Sequence, residues 1–265
     1  MSFIEDYCRS TKEALDLFSS LKDKRVLIIG MGAVGTWVID GLARFGVGHF
    51  TIVDDDIVEL TNIHRQNFFT EDDIGSYKVD VVENAISKYS NARINTIKKK
   101  LDDGFFNQYT NDFDLVINCA DFPSVDYVTN VIGYECMKRA IPHIIGGGYN
   151  LHLSLIGQTV IPFSTACVKC FESHLTEINK VELNGVKKLK RSNRKIGSFG
   201  PLCSIAASMT IVDAMKILIR KFEFINNENK RIEYITEKRD FKIFEVTRKD
   251  NCEWCGEKGI FSDGL

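Results

Sequence analysis

The sequence has no excess of basic charge: 34 lysines and arginines face 36 aspartates and glutamates, a formal net charge of −2 over 265 residues. Such a balance gives non-specific nucleic-acid binding no electrostatic footing. Met1 to Leu21 is mixed and polar, without the apolar core and small-residue cleavage site of a secretory signal. No uninterrupted apolar run approaches membrane-spanning length. There is also no internal repeat and no low-complexity segment. A cytosolic protein with neither membrane nor nucleic acid as partner is the expectation. In that compartment eight cysteines are poor candidates for structural disulfides. Four of them form two C-x-x-C pairs, Cys167/Cys170 and Cys252/Cys255, and the others (Cys8, Cys119, Cys136, Cys203) are scattered.

The composition itself, 44% hydrophobic and 26% charged, is that of a globular α/β chain with enough residues for a real core. Phe3 to Leu21 reads as a packing helix with Ala14, Leu15, Leu17, Phe18 and Leu21 on its apolar stripe. Strand patterns at Val26–Ile29, Phe50–Val53, Ile94–Lys98, Phe113–Ala120 and Pro142–Gly148 alternate with helical patterns at Val38–Ala43, Lys78–Tyr89 and Val125–Arg139. Alternation of this kind predicts a Rossmann-like, doubly wound, mostly parallel sheet. Leu153 to Ile161 looks like a strand-pair edge. Thr176 to Ser198 is polar and basic, either a solvated loop or a flap over a groove. Ile205 to Lys221 is a strongly apolar helix, and Arg231 to Val246 reads as an antiparallel strand pair turning near Lys238 to Asp240.

Gly30-Met31-Gly32-Ala33-Val34-Gly35 follows the first buried strand. Glycines at this spacing let the backbone approach a phosphate, and the next helix offers unpaired N–H groups there. The motif alone does not separate ATP from a nicotinamide or flavin dinucleotide. Asp54, at the end of the second strand, suits ribose hydroxyls in either case. The polar run that follows decides between them. Asp54, Asp56, Asn62, Arg65 and Gln66 crowd the carboxyl end of a central strand, where open α/β sheets bind ligands. Arg65 and Lys78 point to a ligand with more negative charge than a dinucleotide, such as a triphosphate. Asp121, at the end of another central strand, is placed to hold Mg²⁺.

Taken together, Arg25 to Gln66, Gly75-Ser76-Tyr77-Lys78, Cys119-Ala120-Asp121 and the two C-x-x-C pairs resemble the ThiF/MoeB/HesA family, relatives of the ubiquitin-activating enzymes. The resemblance implies an N-terminal helix over residues 1–24 and a ThiF-type adenylation domain over 25–265, with a crossover loop near 174–200 and a zinc-binding C-terminus. It implies that MgATP adenylates a carboxylate, releasing pyrophosphate. Gly30, Gly32, Ala33 and Gly35 would line the phosphates and Asp54 would hold the ribose. Asp56 would lie beside them, while Asn62, Arg65, Gln66 and Lys78 would contact the triphosphate and Asp121 would position the metal. Ala33 stands where many relatives have a glycine, which a negative φ would tolerate. The tail from Ser198 to Gly256 is similar to the branch that adenylates short ribosomal precursor peptides in microcin biosynthesis, though this chain is shorter and lacks that branch's N-terminal peptide-binding domain. A homodimer is implied, with Arg9 the candidate to reach a partner's ATP.

Two distant C-x-x-C pairs predict a four-thiolate zinc site, structural because no coordination position stays open. Residues 174–200 contain no cysteine for a loop thioester, and Cys203, just beyond, is expected to be core packing. The alternatives are an adenylyltransferase for a ubiquitin-like sulfur carrier, a dinucleotide-dependent oxidoreductase, and a non-catalytic module of the same fold.

Overall fold

The computed structural model describes residues 5–109, 112–150, 153–179 and 199–262. The chain alternates strands and helices: β1 (Arg25–Ile29), α2 (Gly35–Arg44), β2 (His49–Val53), α3 (Lys78–Ser87), β3 (Arg93–Ile97), α4 (Phe105–Gln108), β4 (Leu115–Asn118), α5 (Val125–Lys138) and β5 (His143–Ile145), preceded by α1 (Thr11–Ser20). These strands form a sheet in the order β3-β2-β1-β4-β5, all parallel, closed at one edge by antiparallel β8 (Gln158–Val160). The doubly wound, mostly parallel sheet expected from the alternation is present.

β1 shows why the sheet is covered on both faces. Val26 and Ile28 point into one apolar cluster, with Val38, Ile39 and Leu42 of α2. Leu27 and Ile29 point into a second, with Phe105 and Phe106 of α4 and Val128 and Ile132 of α5. The period-two alternation sends successive residues to opposite faces, and both faces are apolar because both are buried. α1 contributes Ala14 to the first cluster and its C-cap, Leu21, joins it there, so the N-terminal helix shares the core of the sheet. It starts at Thr11, where the Ser10 hydroxyl accepts from the Glu13 N–H and caps it, while Phe3, the expected start, lies outside the described residues. Leu15 and Phe18 of the expected stripe face outward.

A second sheet departs from the simple strand pair. Lys230–Ile235 (β9) and Asp240–Glu245 (β10) do pair antiparallel, but Leu153–Leu155 (β7) joins β9 and Gly148–Asn150 (β6) joins β7, giving the order β10-β9-β7-β6. The run Leu153 to Ile161 thus breaks at Ile156–Gly157, its first half in the small sheet and its second half in the large one. Glycine is required at 157, where a Cβ would lie 2.6 Å from the Ile145 carbonyl oxygen. Val168–Asn179 (α6) extends through Thr176, so residues 176–179 of the expected loop are helical; residues 180–198 lie outside the described residues. Gly200–Leu218 (α7) is, among the described residues, the one helix apolar and long enough to cross a membrane by composition, against the expectation of none. Leu202, Ala206, Ala207, Ala214 and Met215 are buried within the fold, and α7 serves as a core helix.

Candidate active site

The glycine turn is shaped by two close approaches. Gly30 adopts φ +94°, and a Cβ there would lie 2.6 Å from the Cys119 carbonyl carbon. At Gly35 a Cβ would come within 1.9 Å of the Gly30 carbonyl oxygen. Gly32 is the opposite case, with no atom within 4 Å of its would-be Cβ, so its bareness leaves the turn open to a ligand. Ala33 is not among the residues of positive φ, which is why its methyl is tolerated. The N–H groups of Gly32, Ala33 and Val34 donate to no described group, and α2 starts at Gly35 without a side-chain cap. Unpaired N–H groups at a helix N-terminus form an anion cradle.

Asp54 closes this turn from β2. Its carboxylate accepts from the Met31 N–H at 2.6 Å and from the Asp56 N–H at 2.8 Å. Burial pushes its pKa above the ordinary value, opposed by the Lys78 charge and by these hydrogen bonds. Lys78, the first residue of α3, is buried and pairs through Nζ with Asp56 Oδ2 at 2.7 Å. Backbone bonds bring the two segments together: Val58 N–H to Ser76 O at 2.8 Å and Lys78 N–H to Asp56 O at 3.0 Å.

The polar run after Asp54 is a set of tight turns. Asn62 is buried and its Oδ1 accepts from the Glu59 N–H at 3.0 Å, while its carbonyl accepts from the N–H groups of Arg65 and Gln66. It holds the turn that presents those two residues and does not itself line the cavity. Arg65 folds back to donate to the Thr61 carbonyl. Gln66 is buried with Oε1 lacking any hydrogen-bond partner.

These groups surround one cavity of about 880 Å³ at the carboxyl ends of the central strands. Gly30, Gly32, Ala33, Asp54, Asp56, Arg65, Gln66, Lys78 and Asp121 all line it; Gly35 and Asn62 stand behind the wall. Asp121 is exposed, just past β4. Ile29, Val53, Leu101, Ala120 and Val125 add apolar lining to the same cavity. The sequence does not announce Lys99, Lys100, Arg231 or Glu233, which also line the cavity. Lys100 lies over the Phe122 ring at 3.9 Å and pairs with Asp55 at 3.6 Å, and Lys99 pairs with Asp102 at 2.7 Å. Among the lining cations, Arg65 alone makes no ion pair with a described residue. The open cradle, the orphaned Gln66 oxygen and the unpaired guanidinium together fit an anionic nucleotide. Cys203 lines the same cavity, and burial pushes its thiol up to about 11 although the Arg65 charge pulls it down. A thiol so held stays protonated at neutral pH.

Far along the chain, the four expected cysteines meet. Sγ–Sγ distances are 3.6 Å for Cys167–Cys252, 3.5 Å for Cys170–Cys255 and 3.9 Å for Cys167–Cys170. All four are buried and all four sulfurs lie within 4.8 Å of one another. Four thiolates at about 2.3 Å from a zinc ion would stand about 3.8 Å apart, whereas a disulfide needs about 2.05 Å. The donor set is thus that of a Cys₄ zinc centre, framed by Trp254 and by Arg248, which donates to the Cys255 carbonyl at 3.0 Å.

A mostly parallel sheet with a phosphate cradle and a charged cavity at its carboxyl edge defines a Rossmann-like nucleotide-binding protein. The chain belongs to the ThiF family, whose model matches residues 10–255. It is 26% identical over 242 residues to the molybdopterin-synthase adenylyltransferase of Escherichia coli, covering 90% of this chain and 89% of that protein. It is 27% identical over 243 residues to an adenylyltransferase and sulfurtransferase of Scheffersomyces stipitis, where it spans 89% of its own length but only about half, 51%, of the relative's. Among solved structures, Escherichia coli MccB with ATP superposes with a TM-score of 0.77 at 26% identity, covering 92% of this chain and 70% of that one. The same enzyme with AMPCPP and MccA gives 0.76 at 25% identity over the same shares.

Proposed function

We propose that this protein uses ATP to adenylate a carboxylate on a peptide or small protein, with a ribosomal precursor peptide as the favoured substrate class. The observation that carries the reading is the convergence on one cavity of the Gly32–Val34 N–H groups, Arg65, Lys78, Gln66 and Asp121. In the reaction a substrate carboxylate oxygen attacks the α-phosphorus, the bond to the β-phosphate oxygen breaks, and pyrophosphate leaves. The chain's work is alignment and charge neutralisation. The glycine turn would hold phosphate oxygens and Asp54 the ribose. Arg65, which pairs with no described carboxylate, would swing from Thr61 onto the charge that builds on the leaving pyrophosphate. Asp121 would hold Mg²⁺, which would offset further phosphate charge. The Cys₄ centre is kept as a structural zinc site. Solved MccB complexes with ATP and MccA favour the peptide reading. A homodimer suits the outward-facing Leu15 and Phe18 of α1, with Arg9 exposed just ahead of that helix.

A second reading, activation of a ubiquitin-like sulfur carrier, is favoured by the 89% coverage of the molybdopterin-synthase adenylyltransferase. ATP–pyrophosphate exchange tests both: stimulation by short peptides supports the first, stimulation only by a carrier ending in Gly-Gly the second. No exchange with either, alongside tight nicotinamide dinucleotide binding, would refute adenylation.

A further inference from the structure

Arg231 and Glu233 sit two residues apart on β9, on the face turned to the nucleotide cavity, and both line it. Arg231 Nε and Nη2 both reach the same oxygen, Glu233 Oε1, at 3.0 and 2.9 Å. The side chains are only 18% and 16% exposed, so this is not a solvated surface pair. Among the described residues, the remaining guanidinium N–H groups meet no acceptor and Glu233 Oε2 meets no donor. A guanidinium presents five donors in a planar fork and stays charged, so the half-buried one here has open valence toward the cavity. In sheet register, Glu233 lies opposite Leu155 and Leu155 opposite Gly148, where the wall is bare: nothing stands within 4 Å of a Cβ at Gly148. Two strand spacings separate Gly148 from Glu233, roughly 10 Å.

From this geometry, and resting on the carboxylate-activation reading above, we propose that Arg231 is a specificity residue for a second carboxylate on the substrate, carried within about three residues of the one activated. The acyl end would cross the bare glycine wall of β6 to reach the phosphate cradle. The second carboxylate would displace Glu233 from the Arg231 fork and take both parallel N–H bonds. Glu233 then acts as an internal stand-in for the substrate acid and selects against tails with a neutral or basic residue at that place.

The test uses octapeptide pools with five random positions and the last three fixed, containing aspartate, asparagine or lysine at one of the three. Two readouts are taken: ATP–pyrophosphate exchange, and anisotropy of fluorescein-labelled pools without ATP. The wild type is expected to favour an aspartate pool over its asparagine counterpart by roughly tenfold in both, the scale of a charge-assisted bidentate contact. Arg231→Gln should abolish that preference by lowering use of the aspartate pool to that of the asparagine pool, with some fall in melting temperature because Glu233 loses its partner. Arg231→Lys should restore part of it, and Glu233→Gln should strengthen aspartate binding. Equal use of aspartate and asparagine pools, a preference for lysine, or equal losses on all pools in Arg231→Gln would overturn the proposal. Aspartate preference in the anisotropy without any exchange would uphold the role of Arg231 and refute adenylation instead.

Discussion

Lys78 is the residue whose removal says most about how the site is held. Its side chain is 7% exposed and its Nζ lies 2.7 Å from Asp56 Oδ2, while the Asp56 side chain is 62% exposed. In Lys78→Met the stem volume is kept and the charge is lost. Asp56 can rehydrate, so the loss falls between the ~0.2–1 kcal/mol of a surface pair and the ~3–5 kcal/mol of a fully buried one; about 1–2 kcal/mol is expected. The pH dependence identifies the cause. Burial already holds the Asp54 carboxyl above its ordinary value, and the Lys78 charge is the largest effect opposing that rise. A carboxyl whose folded pKa exceeds its unfolded value, about 3.9, binds the extra proton in the native state. Its contribution to stability is therefore full below the unfolded value and lost as pH rises through the folded one. Without Lys78 the folded value climbs further, so the variant loses more as pH rises. Thermal melts should show the loss of the Asp56 pair at pH 4.5 and a larger deficit, roughly 3–6 °C in all, at pH 7.5. The KM for ATP should rise at pH 7.5, since a cavity cation is gone. A melting deficit that is equal at the two pH values would refute the coupling of Lys78 to Asp54.

Arg65→Ala removes a side chain whose only described bond is to the Thr61 carbonyl; kcat for pyrophosphate exchange should fall by about 10²–10³ with the melting temperature almost unchanged, and a fall under threefold would remove it from the chemistry. Gly35→Ala puts a methyl 1.9 Å from the Gly30 carbonyl oxygen; ATP binding by calorimetry should be lost and stability should drop by roughly 1–3 kcal/mol, the range for overpacking. Asp121→Asn should depress exchange at limiting Mg²⁺ and recover partly as Mg²⁺ is raised, whereas a magnesium-independent loss would deny it the metal. Elemental analysis should find one zinc per chain, absent from Cys252→Ser, and that variant should melt lower; full stability without metal would undo the four-thiolate assignment.

The part of the site legible in the sequence is the part built from local geometry. A glycine turn and a polar run each carry their own conformational demand, so Gly30, Asp54, Arg65 and Lys78 declare themselves before any fold is known. Asn62 shows the limit even there. It sits among ligand-facing residues, yet it caps a turn, with Oδ1 on the Glu59 N–H. What the sequence conceals is the wall made by strand pairing. The run Leu153 to Ile161 has the period of one edge, and nothing in it marks Ile156–Gly157 as the point where the chain passes from the small sheet to the large one. Arg231 and Glu233 are alternate residues on a half-polar strand, a pattern shared by any solvated sheet face. Only the register of β9 against β7 turns them toward the cavity.

That register needs an anchor, and the cysteine cluster is placed to supply one. β8 is the last strand of the large sheet, and seven residues after Val160 the chain reaches Cys167; β10 is the last strand of the small sheet, and seven residues after Glu245 it reaches Cys252. Joining the two C-x-x-C pairs therefore ties the outgoing end of one sheet to the outgoing end of the other. The phosphate cradle depends on β1, β2 and their glycine turn, which lie in the large sheet and in other apolar clusters. The Arg231 wall depends on how the small sheet is seated. Under the zinc assignment proposed above, losing the metal should for this reason loosen the wall that carries Arg231 before the glycine turn.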